Sequence, residues 1–146
     1  MRAYQYKNKS LSIVLIAFSI LSCDPAIQYE YYVKNDSNRE FQIGFSAPGL
    51  EYERMEHDSI VSIKPNTKSL IVKFDMWGSH PHDEGVDFLN VFDTIYVVNR
   101  DSIELLKDIT IRQNWVYDND IAYFGLIKTG TNIYTLNINE QDFNNK

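Results

Sequence analysis

The densest group of reactive side chains is "GSHPHDEGVD", residues 78–87, which sets His80, His82, Asp83, Glu84 and Asp87 between and beside Gly78 and Gly85. Imidazole nitrogens and carboxylate oxygens are donors that zinc and other first-row metals accept, and donors one or two residues apart in a loop can converge on one ion. His80, His82 and Asp83 are therefore the candidate metal ligands. Against them, Pro81 restricts how the two imidazoles turn together, and no H-E-x-x-H pattern accompanies them. The one other histidine, His57, lies in a separate segment. A solvated polar loop accounts for the same residues. Metal binding, or a metal-dependent enzyme built on this loop, is thus the alternative reading, and no cofactor is expected.

Other chemistry finds less support. "GFSAPG" places its second glycine one residue too late for the G-x-S-x-G elbow of a nucleophilic serine. No glycine-rich phosphate loop is present. Glu51 with Glu53, and Asp118 with Asp120, are paired acids in acidic stretches, and spacing along the chain does not set the separation a glycosidase needs. The expectation is a non-catalytic protein. Aromatic side chains favour binding instead: Tyr31, Tyr32, Trp77, Trp115, Tyr117, Tyr123 and Phe124 offer flat faces for a sugar or peptide. The same rings build β-sheet cores, with adjacent pairs placing one ring on each face. Trp77 in a loop is the more suggestive of a platform, and Trp115 reads as core.

The elements that must position these residues are strands. In "YEYYVKN", Tyr29, Tyr31 and Val33 alternate with Glu30, Tyr32 and Lys34. "EFQIGFS" repeats the alternation with Phe41, Ile43 and Phe45, and "NDSN" between the two predicts a hairpin. Residues 47–58 read as a polar loop or one short helical turn. "SIVSIK" and "KSLIVKF" are strands around a Pro65–Asn66 turn, where proline presets one dihedral and asparagine tolerates an unusual one. "FLNVFDTIYVVN" reads as a strand; Leu105 and Leu106 are compatible with the start of a helix, but "ITIRQ" alternates and is read as a strand. "IAYFGLI" and "IYTLNI" form a hairpin turning at "KTGTN", with Gly130 supplying the positive φ. "NEQDFNNK" is a terminal turn or frayed end. About seven or eight short strands with regular turn signals predict an all-β, antiparallel β-sandwich. The absence of βα alternation disfavours a Rossmann-like sheet.

Composition bounds the partners. The chain of 146 residues suits one domain, with 44% hydrophobic side chains for its core. Its formal charge is -6, and setting aside Arg2, Lys7 and Lys9 of the first 22 residues leaves 11 basic against 20 acidic side chains, net -9. Such a surface repels phosphate backbones, so no nucleic-acid partner is expected. No basic cluster follows the N-terminal apolar run to attract anionic lipid.

That run is itself informative. Basic and polar "MRAYQYKNK" precedes the 11 apolar-rich residues Leu11–Leu21, then Ser22 and Cys23, the single cysteine of the chain. In a helix the run covers roughly 16 Å, about half a bilayer core, which is the length of a signal-peptide core rather than of a membrane span. "ILSC" resembles the lipobox of bacterial lipoproteins. The resemblance implies that Cys23 receives a diacylglyceryl group and, after cleavage, becomes the first mature residue, with acyl chains such as palmitate. Each buried CH₂ contributes ~0.8 kcal/mol and one chain holds only marginally, so two or three chains on one residue anchor stably. The layout is then 1–22 signal peptide, 23–28 lipidated cysteine and tether, and 29–146 one β-domain.

With its strand pattern, the chain resembles the small lipoproteins of Gram-negative bacteria whose mature part is one β-sandwich, a group without a shared activity. The resemblance implies a protein of the cell envelope, held to a membrane, most simply the outer one, by the acyl chains on Cys23. An envelope protein or glycan would be its partner. Asp24 followed by no acid until Glu30 leaves the leaflet open. "DSI" at 58–60, "DTI" at 93–95 and "DSI" at 101–103 resemble the Asp-(Ser/Thr)-apolar sites of O-glycosylation in some Gram-negative bacteria. On that resemblance Ser59, Thr94 and Ser102 are acceptors, although Asp and Ser also end turns where Ile begins strands.

Overall fold

A computed structural model describes residues 26–47, 58–78, 80–98, 104–124 and 127–144. Cys23, His57, Ser102 and most of the 47–58 loop lie outside the described residues. Within them are strands β1 (Ala26–Asn35), β2 (Phe41–Ser46), β3 (Asp58–Ile63), β4 (Thr67–Trp77), β5 (Thr94–Val98), β6 (Glu104–Leu105), β7 (Trp115–Phe124), β8 (Ile127–Ile138) and β9 (Phe143–Asn144), with no α-helix. They form a four-stranded sheet ordered β4-β1-β8-β7, a three-stranded sheet ordered β3-β2-β5, and the short pair β6-β9. The domain is the all-β sandwich that the alternation predicts. One pair departs from antiparallel order: β1 and β8, at the centre of the larger sheet, run parallel.

The core follows from the alternation. Tyr29, Tyr31 and Val33 of β1, Tyr134, Leu136 and Ile138 of β8, and Phe41, Ile43 and Phe45 of β2 are all buried. Each such side chain stabilises by roughly 1.5–3 kcal/mol relative to exposure. Phe92 joins the sheets, packing edge-on against Tyr31 at 5.2 Å and Phe45 at 5.8 Å between ring centroids. Trp115 is core, as read from the sequence, and donates its indole N–H to Ile109 O at 2.8 Å.

The "NDSN" segment is a corner rather than a hairpin, because β1 and β2 belong to different sheets. Asn35 makes the corner. Fully buried, it donates Nδ2 to Arg39 O at 2.7 Å and Lys64 O at 3.1 Å, while its Oδ1 accepts from Ser37 N at 3.0 Å and Ser37 Oγ at 2.7 Å. A side chain that satisfies several backbone groups substitutes for the ladder where the strand leaves its sheet. The Pro65–Asn66 turn, with Asn66 at φ 54°, carries the chain back from β3 to β4 and so also changes sheets.

Three other expectations are corrected. "FLNV" is not strand: after a 3-10 turn at Gly85–Asp87 the chain makes i→i−3 turns, Asn90 N to Asp87 O and Phe92 N to Leu89 O, that send Phe88 and Phe92 into the core. "ITIRQ" is not strand either. Asp108 accepts from Thr110 N at 2.8 Å and Oγ1 at 2.6 Å, and this local competition leads into a 3-10 turn at Arg112–Asn114. Gly130 lies inside β8, not in a turn, paired with Ile27 and Ile121; the β7–β8 connection falls at residues 125–126, outside the described residues. The C-terminal segment is ordered by a capping box at Asn139 and by Lys107 Nζ, 2.9 Å from Asp142 Oδ2, which seat β9 beside β6.

Candidate functional site

Residues 80–92 pass over the inner face of the larger sheet, and the best-defined polar cluster of the described residues lies there. Cross-strand partners share a face, so the rows Val72–Tyr31–Tyr134–Tyr117 and Phe74–Tyr29–Asn132–Asn119 look toward this segment. Tyr29 donates its hydroxyl to Glu84 Oε1 at 2.5 Å, and Tyr31 donates to Phe88 O. Tyr134 accepts from Glu84 N at 2.9 Å and lies 3.4 Å from Asp83 Oδ1. Three tyrosines thus tie the crossing chain down by its backbone and two carboxylates, while Phe88 and Phe92 anchor it by burial.

Arg112 completes the clasp from the other side. Its Nε donates to Asp83 Oδ1 at 2.9 Å and its Nη2 to Asp83 Oδ2, a two-pronged pair, while Nη1 donates to Trp115 O at 2.6 Å. The guanidinium carbon also stands 5.4 Å from the Tyr134 ring centroid and 5.6 Å from that of Phe88. A planar fork that fits a carboxylate and lies over rings is a role lysine does not fill.

The electrostatics suit a fastening. Burial, and then the Glu84 carboxylate, push the Tyr29 hydroxyl well above its ordinary pKa; burial does the same to Tyr31 and raises Tyr134 to about 12. These phenols are poor acids at neutral pH and stay hydrogen-bond donors. The Arg112 guanidinium holds Asp83 below the usual carboxylate range. One group is left imperfectly satisfied. Asn132 is fully buried and accepts from Tyr117 at 2.9 Å, but its Nδ2 has no aligned acceptor, although it lies near enough to Tyr29 to favour the phenolate.

This geometry separates the predicted metal ligands. Pro81 is buried against Gly130, so His80 and His82 on either side of it are exposed, their rings 5.7 Å apart. His82 Nδ1 lies 3.1 Å from His80 O, and its Nε2 lies 3.6 Å from Glu84 Oε1. Asp83 instead faces Arg112. Among the described residues no group of three or more His, Cys, Asp or Glu side chains is gathered as a metal site. The clasp residues Tyr29, Tyr134 and Arg112 escape sequence reading because nothing in their spacing links them to Asp83 or Glu84.

The remaining candidates are dispersed. Thr94 is exposed, whereas Ser59 shares the inner face of its sheet with Phe45 and Ile95 and is half-buried. Tyr32 faces outward beneath Lys68, whose Nζ is 4.1 Å from the ring centroid. Trp77 and Tyr123 are exposed at strand ends. Trp77 closes β4 rather than sitting in a loop. Compared with protein-family models, with curated proteins and with solved structures, the chain matches none.

Proposed function

We propose that this protein is a lipid-anchored lipoprotein of a Gram-negative cell envelope whose β-domain is a non-catalytic interaction or structural module. The observation that carries the reading is the order of the first segments: basic start, 11-residue apolar run, "ILSC", and then β1 beginning at Ala26, three residues beyond the cysteine. A single thiol placed there is the acceptor of acyl chains, which fix the domain to a membrane, most simply the outer one. The non-catalytic half is supported by the fate of the polar groups at residues 80–92, where Asp83 and Glu84 bond to Arg112 and Tyr29.

The test is incorporation of labelled palmitate by the full chain in a Gram-negative host. The wild type takes up label and sediments with membranes, and Cys23→Ser does neither. Label retained in Cys23→Ser overturns the assignment. Protease shaving of intact cells then gives the face: loss of the domain places it outside, and survival until the outer membrane is opened places it in the periplasm.

A further inference from the structure

The two ends of the larger sheet differ sharply in polarity. At the end where β1 finishes and β4 begins, Lys34 pairs with Asp36, and Arg39 with Glu140, around the buried Asn35. At the other end, where β1 starts, Ala26 pairs with Trp77, and the next row is Met76–Ile27–Gly130–Ile121. Tyr123 lies two residues beyond Ile121 on β7. Trp77 is 78% exposed and Tyr123 71%, with Met76 and Ile121 also exposed. The aromatic pair stands on the two outer strands, three interstrand spacings or ~14 Å apart, with Ala26 on a strand between them.

Ala26 is also where the described chain meets the anchor. Asp24 and Pro25 alone separate it from Cys23, and three residue steps reach at most ~11 Å. We propose that this end of the sheet docks on the bilayer surface, with Trp77 and Tyr123 seated at headgroup level on either side of the tether. The inference rests on the lipidation of Cys23 proposed above. Tryptophan and tyrosine favour the membrane–water interface, where a ring is desolvated while its N–H or O–H stays wet. A tether this short holds the apolar end against the interface, and the effective concentration of surface it creates makes even weak contacts count. Asp75 and Asp120, exposed two rows back from Ala26, turn the preference toward neutral rather than anionic headgroups. The domain then stands on the membrane by this end and presents its ion-paired end outward.

The two tryptophans make the test direct, since Trp115 is 3% exposed and serves as an internal control. Acylated full-length protein is reconstituted in phosphatidylcholine–phosphatidylethanolamine vesicles whose acyl chains are brominated close to the headgroup. Trp77 emission is quenched and blue-shifted, removing the larger part of its share of the signal. Trp77→Phe, which alters an exposed side chain, leaves Trp115 emission unquenched. Acylated, vesicle-bound protein whose emission matches that in unbrominated vesicles overturns the docking and leaves lipidation standing. Quenching that persists in Trp77→Phe overturns the assignment to this end. Absence of acyl label on Cys23 overturns both readings together.

Discussion

Gly130 and Asp120 lie so close across β8 and β7 that a β-carbon on the glycine would stand 2.0 Å from the Asp120 carbonyl oxygen. With φ at +155° and the Pro81 ring 2.9 Å from the same point, the position admits hydrogen alone. Gly130→Ala is expected to cost more than about 2 kcal/mol, since backbone rather than a movable side chain must yield. Gly44→Ala is the comparison: its β-carbon meets the Tyr96 ring at 2.5 Å, and an exposed tyrosine can swing aside. Urea unfolding of the two variants should rank Gly130→Ala clearly the less stable.

The Arg112–Asp83 clasp predicts a geometry-specific loss. Arg112→Ala should lower stability by about 1–2 kcal/mol through lost charged hydrogen bonds and lost contact with Phe88 and Tyr134. Arg112→Lys should recover little of it. Asp83 has a depressed folded pKa, so its contribution is present above the unfolded value near ~4 and is lost as pH falls through the folded one. Melting curves between pH 6 and pH 3 should therefore converge for wild type and Arg112→Ala. Curves that stay parallel to the acid end argue against the ion pair.

At high pH the sign reverses. Tyr29, Tyr31 and Tyr134 have raised folded pKa values, so their contribution is complete below the unfolded value near ~10 and is lost as pH rises toward the folded ones. Each buried tyrosine gives a slope of ~1.4 kcal/mol per pH unit in that window, and three together unfold the domain steeply. Ultraviolet titration should resolve one group of tyrosines ionising near the ordinary value and another that ionises only with unfolding. A single smooth class would contradict the buried cluster.

Asn35→Ala removes the side chain that satisfies Arg39 O, Lys64 O and Ser37 N at the corner. The expected cost is about 2–3 kcal/mol, because several buried polar groups lose partners at once. Accelerated hydrogen exchange should appear at both sheet changes, near Ser37 and near Lys64. Exchange confined to one of them would mean that the two corners are not joined through Asn35.

For metal, the prediction is negative. With Asp83 facing Arg112, His80 and His82 offer two exposed imidazoles without the third ligand read from the sequence. A ligand that binds only the native state raises the melting temperature. Zinc at moderate excess should leave it unchanged, and a gain abolished by His80→Ala with His82→Ala would restore the metal-binding alternative.

Period-two alternation marks which residues of β1, β2 and β8 face the core, because a strand with one buried face writes its burial into its sequence. Partner choice leaves no such mark. The "NDSN" stretch reads as a hairpin because turn residues between apolar runs look alike whether the chain folds back or crosses to another sheet; the difference lies in Asn35's bonds to residues far along the chain. "ITIRQ" alternates, yet the Asp108–Thr110 bonds win locally. In the crossing segment, composition shows ligand-type side chains but not their direction, which Pro81, Gly130 and Arg112 decide between them. Trp77 is conspicuous by type alone, and its place beside Ala26 emerges only from the register.

The parallel pairing of β1 with β8 carries a consequence for how the chain comes to be folded. The first strand has its central partner in residues 127–138, so the sheet closes only when nearly the whole domain is at hand. Contacts so distant along a chain repay the cost of loop closure late, and folds rich in them form slowly. Emerging N-terminus first, from a ribosome or through a translocation channel, β1 meets β4 but waits for its other neighbour until synthesis or transport is almost finished. A chain wired in this way pairs β2 with β3 and β5 early, and becomes a closed body only after its last strands have arrived.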